Sequence, residues 1–387
     1  MSDPIFLTEI NDGKGNYLEI KLPATDYDLL DALERLNLPS SENPACTIYQ
    51  YNSYSFLARA TDEHKTLFET NALARKLSEL DSYESLSLEG LVQMEVEKGA
   101  GLLTVPKLID LAYSADCCNY APAYTDEDLG RFYADNNFLP ELESIPDEIY
   151  KLLDFGKIGK NIREGEHGVF TPRGYVVQTS DLNQVSEGMD FHPHKPDYVF
   201  RLTLGSTEHA RTAVVELPAD QHHLDQALES LGLHSLEGAK LKDFDGVSLG
   251  LDPDLYFMGS LENLNELAKS VAELDSRGKL PVLKSLIYAT SSHTVEAAQN
   301  FASAIDDYIL ESSQRSVEDL ARDDLRFSLD ESTADILLPH VNLFAYGQEL
   351  LKVYQSDVTP YGVIQHKDGF PLQQLTEQTP EPTMEMR

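Results

Sequence analysis

The chain has 387 residues, of which 66 are Asp or Glu and 30 are Lys or Arg, so its formal net charge is -36. Hydrophobic residues make up 41% of it, with 19 Tyr and 15 Phe, and this excludes a disordered acidic polymer. Because a strongly negative folded surface repels nucleic acid and anionic membranes, the composition predicts a basic protein partner and no direct binding to nucleic acid or membrane.

The three cysteines, Cys46, Cys117 and Cys118, have no metal-ligand spacing and predict reduced thiols. The first four residues lack the basic and apolar regions of a signal peptide, and no stretch approaches the roughly 18 apolar residues of a membrane helix. We therefore expect a soluble, cytoplasmic protein.

The first elements along the chain are a strand and a capped helix. Tyr17–Leu22 alternates as a half-buried strand does, and Thr25 or Asp26 then caps a helix. The helix has leucines at helical spacing, namely Leu29, Leu30, Leu33 and Leu36.

The part that follows is helical up to a pair of short strands. Leu73, Leu77 and Leu80 share one helix face, and a break near Ser82 precedes a second apolar run with Leu86, Leu88, Leu91 and Val92. Thr125–Asp128 resembles a capping box and starts another helix. Short strands are expected around Gly174–Val177 and Gly362–Ile364.

The same sequence blocks occur twice. At an offset of 195, Leu217–Asp220 matches Leu22–Thr25 and Ala227–Leu233 matches Ala32–Leu38. Asn265–Ser276 matches Asn71–Ser82 at an offset of 194, and Thr359–Gln365 matches Thr171–Gln178 at an offset of 188. Anchors in the same order with small length changes predict two homologous copies, and the repeat is too long for a solenoid unit.

These boundaries predict a first copy at residues 1–180, a linker at 181–197 that contains His192–Pro196, a second copy at 198–366 that opens with the strand Tyr198–Leu204, and a disordered tail at 367–387. The predicted fold class is α+β. Each copy has small sheets flanking a helical middle, and the two together form an elongated acidic body.

Residues for catalysis or metal binding do not stand out from this acidic background. Paired carboxylates such as Asp252 with Asp254 are inevitable at this acid content, and the pairs His192/His194 and His222/His223 have no third ligand at a useful spacing. No phosphate-binding glycine motif or nucleophile motif is present. We predict no catalytic residue, cofactor or metal, and keep a carboxylate- or metal-dependent hydrolase as the enzyme alternative.

The acids themselves form clusters on predicted helices, where residues three or four apart share a face. Since duplex DNA carries one negative charge per roughly 1.7 Å of axis, 36 net charges would match on the order of 60 Å of duplex. A protein that recognises phosphate geometry could therefore accept this chain instead of DNA. The candidate phosphate-mimic acids are Asp126, Glu127, Asp128, Glu141, Glu143, Asp147, Glu148, Asp154, Asp306, Asp307, Glu311, Glu318, Asp319, Asp323, Asp324 and Asp330.

Several segments resemble a known family, the ArdA antirestriction proteins of conjugative plasmids and transposons. In the second copy, Ser260–Asp275 is similar to the family's middle helical segment, Leu343–Leu350 to its aromatic stretch and Thr359–Ile364 to its final strand. In the first copy, Glu143–Gly159 resembles its antirestriction segment.

The resemblance implies an elongated, acidic DNA mimic that inhibits type I restriction–modification enzymes and helps a mobile genetic element to evade host defence. It also implies pairing through the antirestriction segment, with Ile145, Pro146, Ile149, Phe155, Phe344 and Tyr346 as the candidate copy–copy interface. Two copies in one chain depart from the family pattern, so we expect either a monomeric pseudo-dimer or a homodimer.

Other functions remain open at this stage. A shifted target would make the protein an anti-CRISPR or another nuclease inhibitor that uses the same mimicry. An acidic histone-like chaperone would instead bind free basic proteins without preference for nucleases.

Overall fold

The computed structural model describes residues 3–13, 15–142, 145–206, 211–233, 239–251 and 261–372, without the side chains of Ala100 and Asp147. The fold is α+β, as the sequence predicted. Two compact units divide the chain: the first comprises residues 1–24 and 41–192, and the second comprises residues 25–40 and 193–387.

The first unit has two antiparallel three-stranded sheets. One has the order β2-β1-β3, and its strands are β1 (Phe6–Asn11), β2 (Tyr17–Leu22) and β3 (Cys46–Tyr51). The other has the order β4-β6-β5, and its strands are β4 (Cys118–Ala121), β5 (Val169–Thr171) and β6 (Gly174–Gln178). Apolar side chains alternate along the central strand β1, where Phe6 and Ile10 are fully buried.

Helices connect these sheets. Helix α1 (Asp26–Arg35) belongs to the second unit, and the helices of the first unit are α2 (Leu67–Glu79), α3 (Ser82–Glu95), α4 (Val105–Ala112), α5 (Asp126–Asp135), α6 (Asp147–Tyr150) and α7 (Phe155–Glu166). Tighter 3-10 turns lie at Ser55–Arg59, Ala115–Cys117, Pro140–Leu142 and Ser186–Gly188, and a π turn at Val96–Ala100 extends α3.

The second unit also has two antiparallel sheets. One has the order β8-β7-β9, with β7 (Phe200–Ser206), β8 (Thr212–Leu217) and β9 (Ala239–Gly246). The other has the order β10-β12-β11, with β10 (Tyr308–Glu311), β11 (Asp357–Thr359) and β12 (Gly362–His366).

The remaining helices of the second unit are α8 (Gln221–Leu231), α9 (Leu261–Ser276), α10 (Leu280–Thr290), α11 (Val295–Ser303), α12 (Val317–Ser328), α13 (Glu331–Leu337) and α14 (Leu343–Tyr354). The 3-10 turns Ile305–Asp307 and Leu338–His340 complete it. Its core joins the β7 face to α9, α10 and α11, and Phe200, Leu202 and Leu204 are fully buried there. Among the described residues we find no helix with the length and apolar character that crossing a membrane requires.

The same local contacts occur in both units. The Asn71 amide accepts from the Ala24 N–H at 2.7 Å and donates to the Ala24 carbonyl at 3.1 Å. The Asn265 amide makes the same two bonds to Ala219, both at 2.8 Å. Because the side chain of an asparagine can satisfy a backbone N–H and C=O together, both positions tie a strand end to the following helical region.

A second shared contact is the turn between the last two strands of each unit. The Thr171 hydroxyl donates to the Gly174 carbonyl and accepts from the Arg173 N–H. The Thr359 hydroxyl does the same with Gly362 and Tyr361. Arg173 and Tyr361 therefore occupy equivalent positions.

The early local predictions are confirmed. Strand β2 has the predicted bounds, Thr25 caps α1 with a complete capping box, and Asp81 caps α3 at the predicted break. The cysteines are free.

The copy boundaries stay a prediction, since the units divide between residues 192 and 193 and segment 25–40 lies with the second unit. Leu372 is buried in the second unit, and residues 373–387 of the predicted tail lie outside the described residues.

Candidate functional site

Close helix crossings position the acid-bearing helices in both units. A Cβ on Gly159 of α7 would stand 1.8 Å from the Asp126 carbonyl oxygen at the start of α5. In the second unit, a Cβ on Gly347 of α14 would stand 2.2 Å from the Val317 carbonyl oxygen at the start of α12. Because only glycine permits such an approach, these two residues fix where the first turn of each acidic helix lies.

The first predicted acid patch begins α5 and is largely neutralised by arginines. Asp126 accepts two bonds from the Arg163 guanidinium, at 2.8 and 3.1 Å, and this pairing holds the Asp126 pKa below its ordinary value. Glu127 pairs with Arg131 at 2.8 Å on the same helix. Asp128 accepts from the Thr125 hydroxyl at 2.9 Å and so serves the helix cap.

The acids that follow differ in exposure. Glu141 and Glu148 are exposed, and Asp154 caps α7 by accepting from the Lys157 N–H at 3.0 Å. Glu143 lies outside the described residues, as does the side chain of Asp147. Among the described side chains of this segment, Glu141 and Glu148 are therefore exposed carboxylates that cap no helix, whereas Asp154 is exposed but engaged in the cap of α7.

The three candidate acids around β10 are all exposed, and one of them is paired with an arginine. Arg277 donates to both oxygens of Asp306, at 2.8 and 2.6 Å, and thereby lowers the Asp306 pKa. Asp307 and Glu311 are exposed, and among the ion pairs of the described residues none involves either of them. The predicted Asp306–Asp307 pair thus consists of two exposed carboxylates, of which Asp306 is balanced by Arg277.

The acids at the start of α12 have polar partners. Asp319 pairs with Arg322 at 2.6 Å and also accepts from the Arg315 N–H, whereas Glu318 is half-buried on the same turn. Asp323 is exposed and accepts from Gln314 at 3.2 Å. Of these three acids, Asp323 is therefore the exposed one.

Tyrosines hold the next acid of α12. Asp324 accepts from the hydroxyls of Tyr346, at 2.5 Å, and Tyr354, at 2.8 Å. The hydrogen bond to Asp324 raises the Tyr346 pKa to about 12, so this phenol stays a donor. Asp330 caps α13 through Thr333, and these bonds lower the Asp330 pKa.

The predicted interface residues fall into buried and exposed groups. Phe155 is 7% exposed and stacks under the Arg131 guanidinium, and Tyr346 is engaged with Asp324. Ile149 and Phe344 are 52% and 55% exposed, Pro146 is exposed, and Ile145 is half-buried. The exposed members are the ones available to another surface.

The histidine pairs serve local structure. His223 Nδ1 lies 2.7 Å from the Asp220 cap of α8, and His222 contacts Gln226 one turn along the same helix. No group of three potential metal ligands occurs among the described residues.

Sequence reasoning missed a buried ion cluster. Lys284 of α10 is inserted between Asp31 and Glu34 of α1, at 2.6 and 2.7 Å, inside the second unit. A lone lysine within the apolar run Leu280–Ile287 was a signal that could have revealed it.

No protein-family model matches the chain, and no curated protein matches it either.

Proposed function

We propose that the chain is a non-enzymatic, acidic DNA mimic, a tandem ArdA-like protein that occupies the DNA-binding groove of a type I restriction–modification enzyme. The charge supports this proposal, because 66 acids against 30 bases on α+β units give a strongly negative folded surface. Such a surface attracts proteins that bind nucleic acid, at a rate that salt reduces.

The recurrence of local structure supports two homologous copies. The asparagine contacts at Asn71 and Asn265 and the threonine turns at Thr171 and Thr359 use the same atoms at the offsets found in the sequence. A duplication would present similar acidic surfaces twice. Residues 118–178 contain 11 Asp and Glu against 6 Lys and Arg, and residues 308–366 contain 10 against 4.

The observation that carries the proposal is the set of candidate acids in both units that are exposed and, among the described residues, neither pair with a cation nor cap a helix. These are Glu141, Glu148, Asp307, Glu311 and Asp323. Backbone elements hold them in fixed positions, which a phosphate mimic requires, since mobile Lys and Arg side chains in the groove then complete the contacts. The arginine-paired acids Asp126, Glu127, Asp306 and Asp319 contribute less, because their charge is already balanced.

The test is inhibition of a purified type I restriction–modification enzyme by the full chain, with DNA as competitor. We expect inhibition to fall as DNA is added and to weaken steeply with salt. Inhibition that ignores both DNA and salt would contradict the mimicry.

A guide-dependent nuclease assayed in parallel decides between antirestriction and anti-CRISPR activity. Free histone-like basic protein serves as the control for unspecific charge binding. Equal binding to all three partners would favour the chaperone alternative over an inhibitor.

A further inference from the structure

The segment that follows β6 is tied to helix α4 in the first unit. Asp110 of α4 is 9% exposed, and one of its carboxylate oxygens accepts the N–H groups of Val185 and Ser186, each at 2.8 Å. Its other oxygen accepts from the Ser186 hydroxyl at 3.0 Å. Earlier in the segment, the Asn183 N–H donates to the buried Ser114 hydroxyl at 2.8 Å. A single carboxylate on α4 therefore holds the segment by three hydrogen bonds.

Helix α11 corresponds to α4 in the second unit. The helix caps Thr104 and Thr294, the 3-10 turns after the two helices, and the next strands, β4 and β10, are all separated by the same offset of 190. At that offset Asn300 takes the position of Asp110. Asn300 is exposed, and its side chain has no hydrogen-bond partner within the described part of the chain. The position that holds a chain segment in the first unit is therefore accessible in the second.

The chain leaves the last strand of each unit in the same way. The Thr179 N–H donates to the Cys117 carbonyl at 2.8 Å, and the Lys367 N–H donates to the Asp307 carbonyl at the same distance. Leu372 is 7% exposed and belongs to the core of the second unit. The chain is thus still fixed to this unit at the last described residue, and 15 residues follow it.

The sequence match between the two copies continues into these last residues. At the offset of 190, Leu372–Glu377 corresponds to Leu182–Glu187, with three identical residues and three conservative replacements. The pairs are Leu182/Leu372, Asn183/Gln373, Gln184/Gln374, Val185/Leu375, Ser186/Thr376 and Glu187/Glu377. This offset is also the one that relates α4 to α11, so the segment and the helix to which it is tied in the first unit both recur with the same spacing.

We propose that residues 373–377 of this chain dock on α11, with Asn300 in the role of Asp110. The Asn300 Oδ1 accepts the N–H groups of Leu375 and Thr376. Its Nδ2 donates to the Thr376 hydroxyl, which reverses the direction of the corresponding bond to Asp110. Because asparagine has nearly the shape of aspartate, the amide makes the same three hydrogen bonds without a charge.

The chain's own segment is the occupant because it is already tethered beside this face. Leu372 precedes Leu375 by three residues, as Leu182 precedes Val185 in the first unit, so the segment has the length that the contact needs. A short tether gives the segment an effective concentration in the millimolar range, at which a few hydrogen bonds suffice for docking.

The contact ends near Glu377. In the first unit the segment continues to His192, whose ring lies 5.5 Å from that of Phe68, whereas Glu262 stands at the Phe68 position at the offset of 194. Residues 378–387 therefore have no equivalent ring to pack on, and the second copy extends to about residue 377. This inference rests on the proposed duplication and is independent of the DNA mimicry.

The test is amide hydrogen exchange of the full chain, resolved to single residues. We expect the amides of Leu375 and Thr376 to exchange at least about tenfold more slowly than in a free peptide of residues 373–387, because each is hydrogen-bonded. Asn300→Ala should return both rates to those of the peptide. Glu296→Ala is the matched control, since Glu296 is exposed one turn earlier on α11 and its loss should leave both rates unchanged.

Two further variants check the comparison with the first unit. Asn300→Asp should keep both amides slow, because the Asp110 carboxylate accepts the same bonds. Asp110→Ala should speed exchange of the Val185 and Ser186 amides, which provides the positive reference for the method.

Three results would overturn the contact. Leu375 and Thr376 could exchange at the rate of the free peptide, their slow exchange could persist in Asn300→Ala, or it could be lost in Asn300→Asp. Since Asn300 is exposed on its helix, none of these results would be due to unfolding. Exchange of these amides does not report on inhibition, so a failure here leaves the proposed function untouched, and loss of inhibition leaves this contact untouched.

Discussion

Lys284 and Asp31 form an ion pair with an Nζ–Oδ1 distance of 2.6 Å, and their side chains are only 5% and 10% exposed. Burial alone would lower the Lys284 pKa, but Asp31 and Glu34 together raise it above the ordinary lysine value. The ammonium therefore stays charged in the neutral range, and the cluster depends on all of its members being present.

Replacing Lys284 with methionine should destabilise the second unit by about 3–5 kcal/mol, because Asp31 would remain buried without its cation. The measurement is hydrogen exchange of the α10 amides across a denaturant series, which reports on this unit alone. Lys269→Met is the control, since Lys269 pairs with Glu266 on an exposed turn and its loss should change stability by at most about 0.5 kcal/mol. Equal effects of the two substitutions would show that the cluster contributes no special stability.

Gly159→Ala should separate α5 from α7. The new Cβ would meet the Asp126 carbonyl at 1.8 Å, so backbone has to shift, at a cost of about 1–3 kcal/mol or more. Gly165→Ala on the same helix meets nothing within 4 Å and should stabilise it by about 0.5–1 kcal/mol through helix propensity. The thermal unfolding midpoints of the two variants should shift in opposite directions from that of the wild type. Shifts in the same direction would contradict the close crossing.

The Asp126–Arg163 pair gives the first unit a defined acid dependence. Since Arg163 lowers the Asp126 pKa, the stabilisation is fully present above the ordinary aspartate pKa of about 4 and is lost as the pH falls through the lower folded-state value. Arg163→Gln should return the Asp126 pKa toward its ordinary value, as measured by carboxyl carbon NMR. Arg131→Gln removes a cation that pairs with Glu127 and should leave the Asp126 pKa low.

Local structure was predictable from the sequence because its signals are local. The alternation of Tyr17–Leu22 and the Thr25 cap needed only neighbouring residues. Asp31 is different. Its spacing along the helix predicts a solvent-exposed position, whereas its burial in the structure depends on the ion pair with Lys284, 253 residues away.

The same limit applied to the acid clusters. Asp126 pairs with Arg163 from another helix, so counting acids overestimated the free charge there. Asp324 keeps its charge, but its oxygens are engaged by the hydroxyls of Tyr346 and Tyr354. Pairing between helices depends on how they cross, and the crossing is set by Gly159 and Gly347, which charge patterns do not reveal.

The exposed acids provide the functional prediction. Glu141→Gln, Glu148→Gln, Asp307→Asn and Glu311→Gln should each weaken inhibition of a restriction–modification enzyme by up to about fivefold, because a solvent-exposed charge contact is worth at most about 1 kcal/mol. Combined, their effects should add, since a mimic distributes its binding over many sites. Asp330→Asn is the control for charge alone, because that carboxylate is engaged in capping α13. If any single substitution abolished the inhibition, it would instead indicate a catalytic carboxylate and favour the hydrolase alternative.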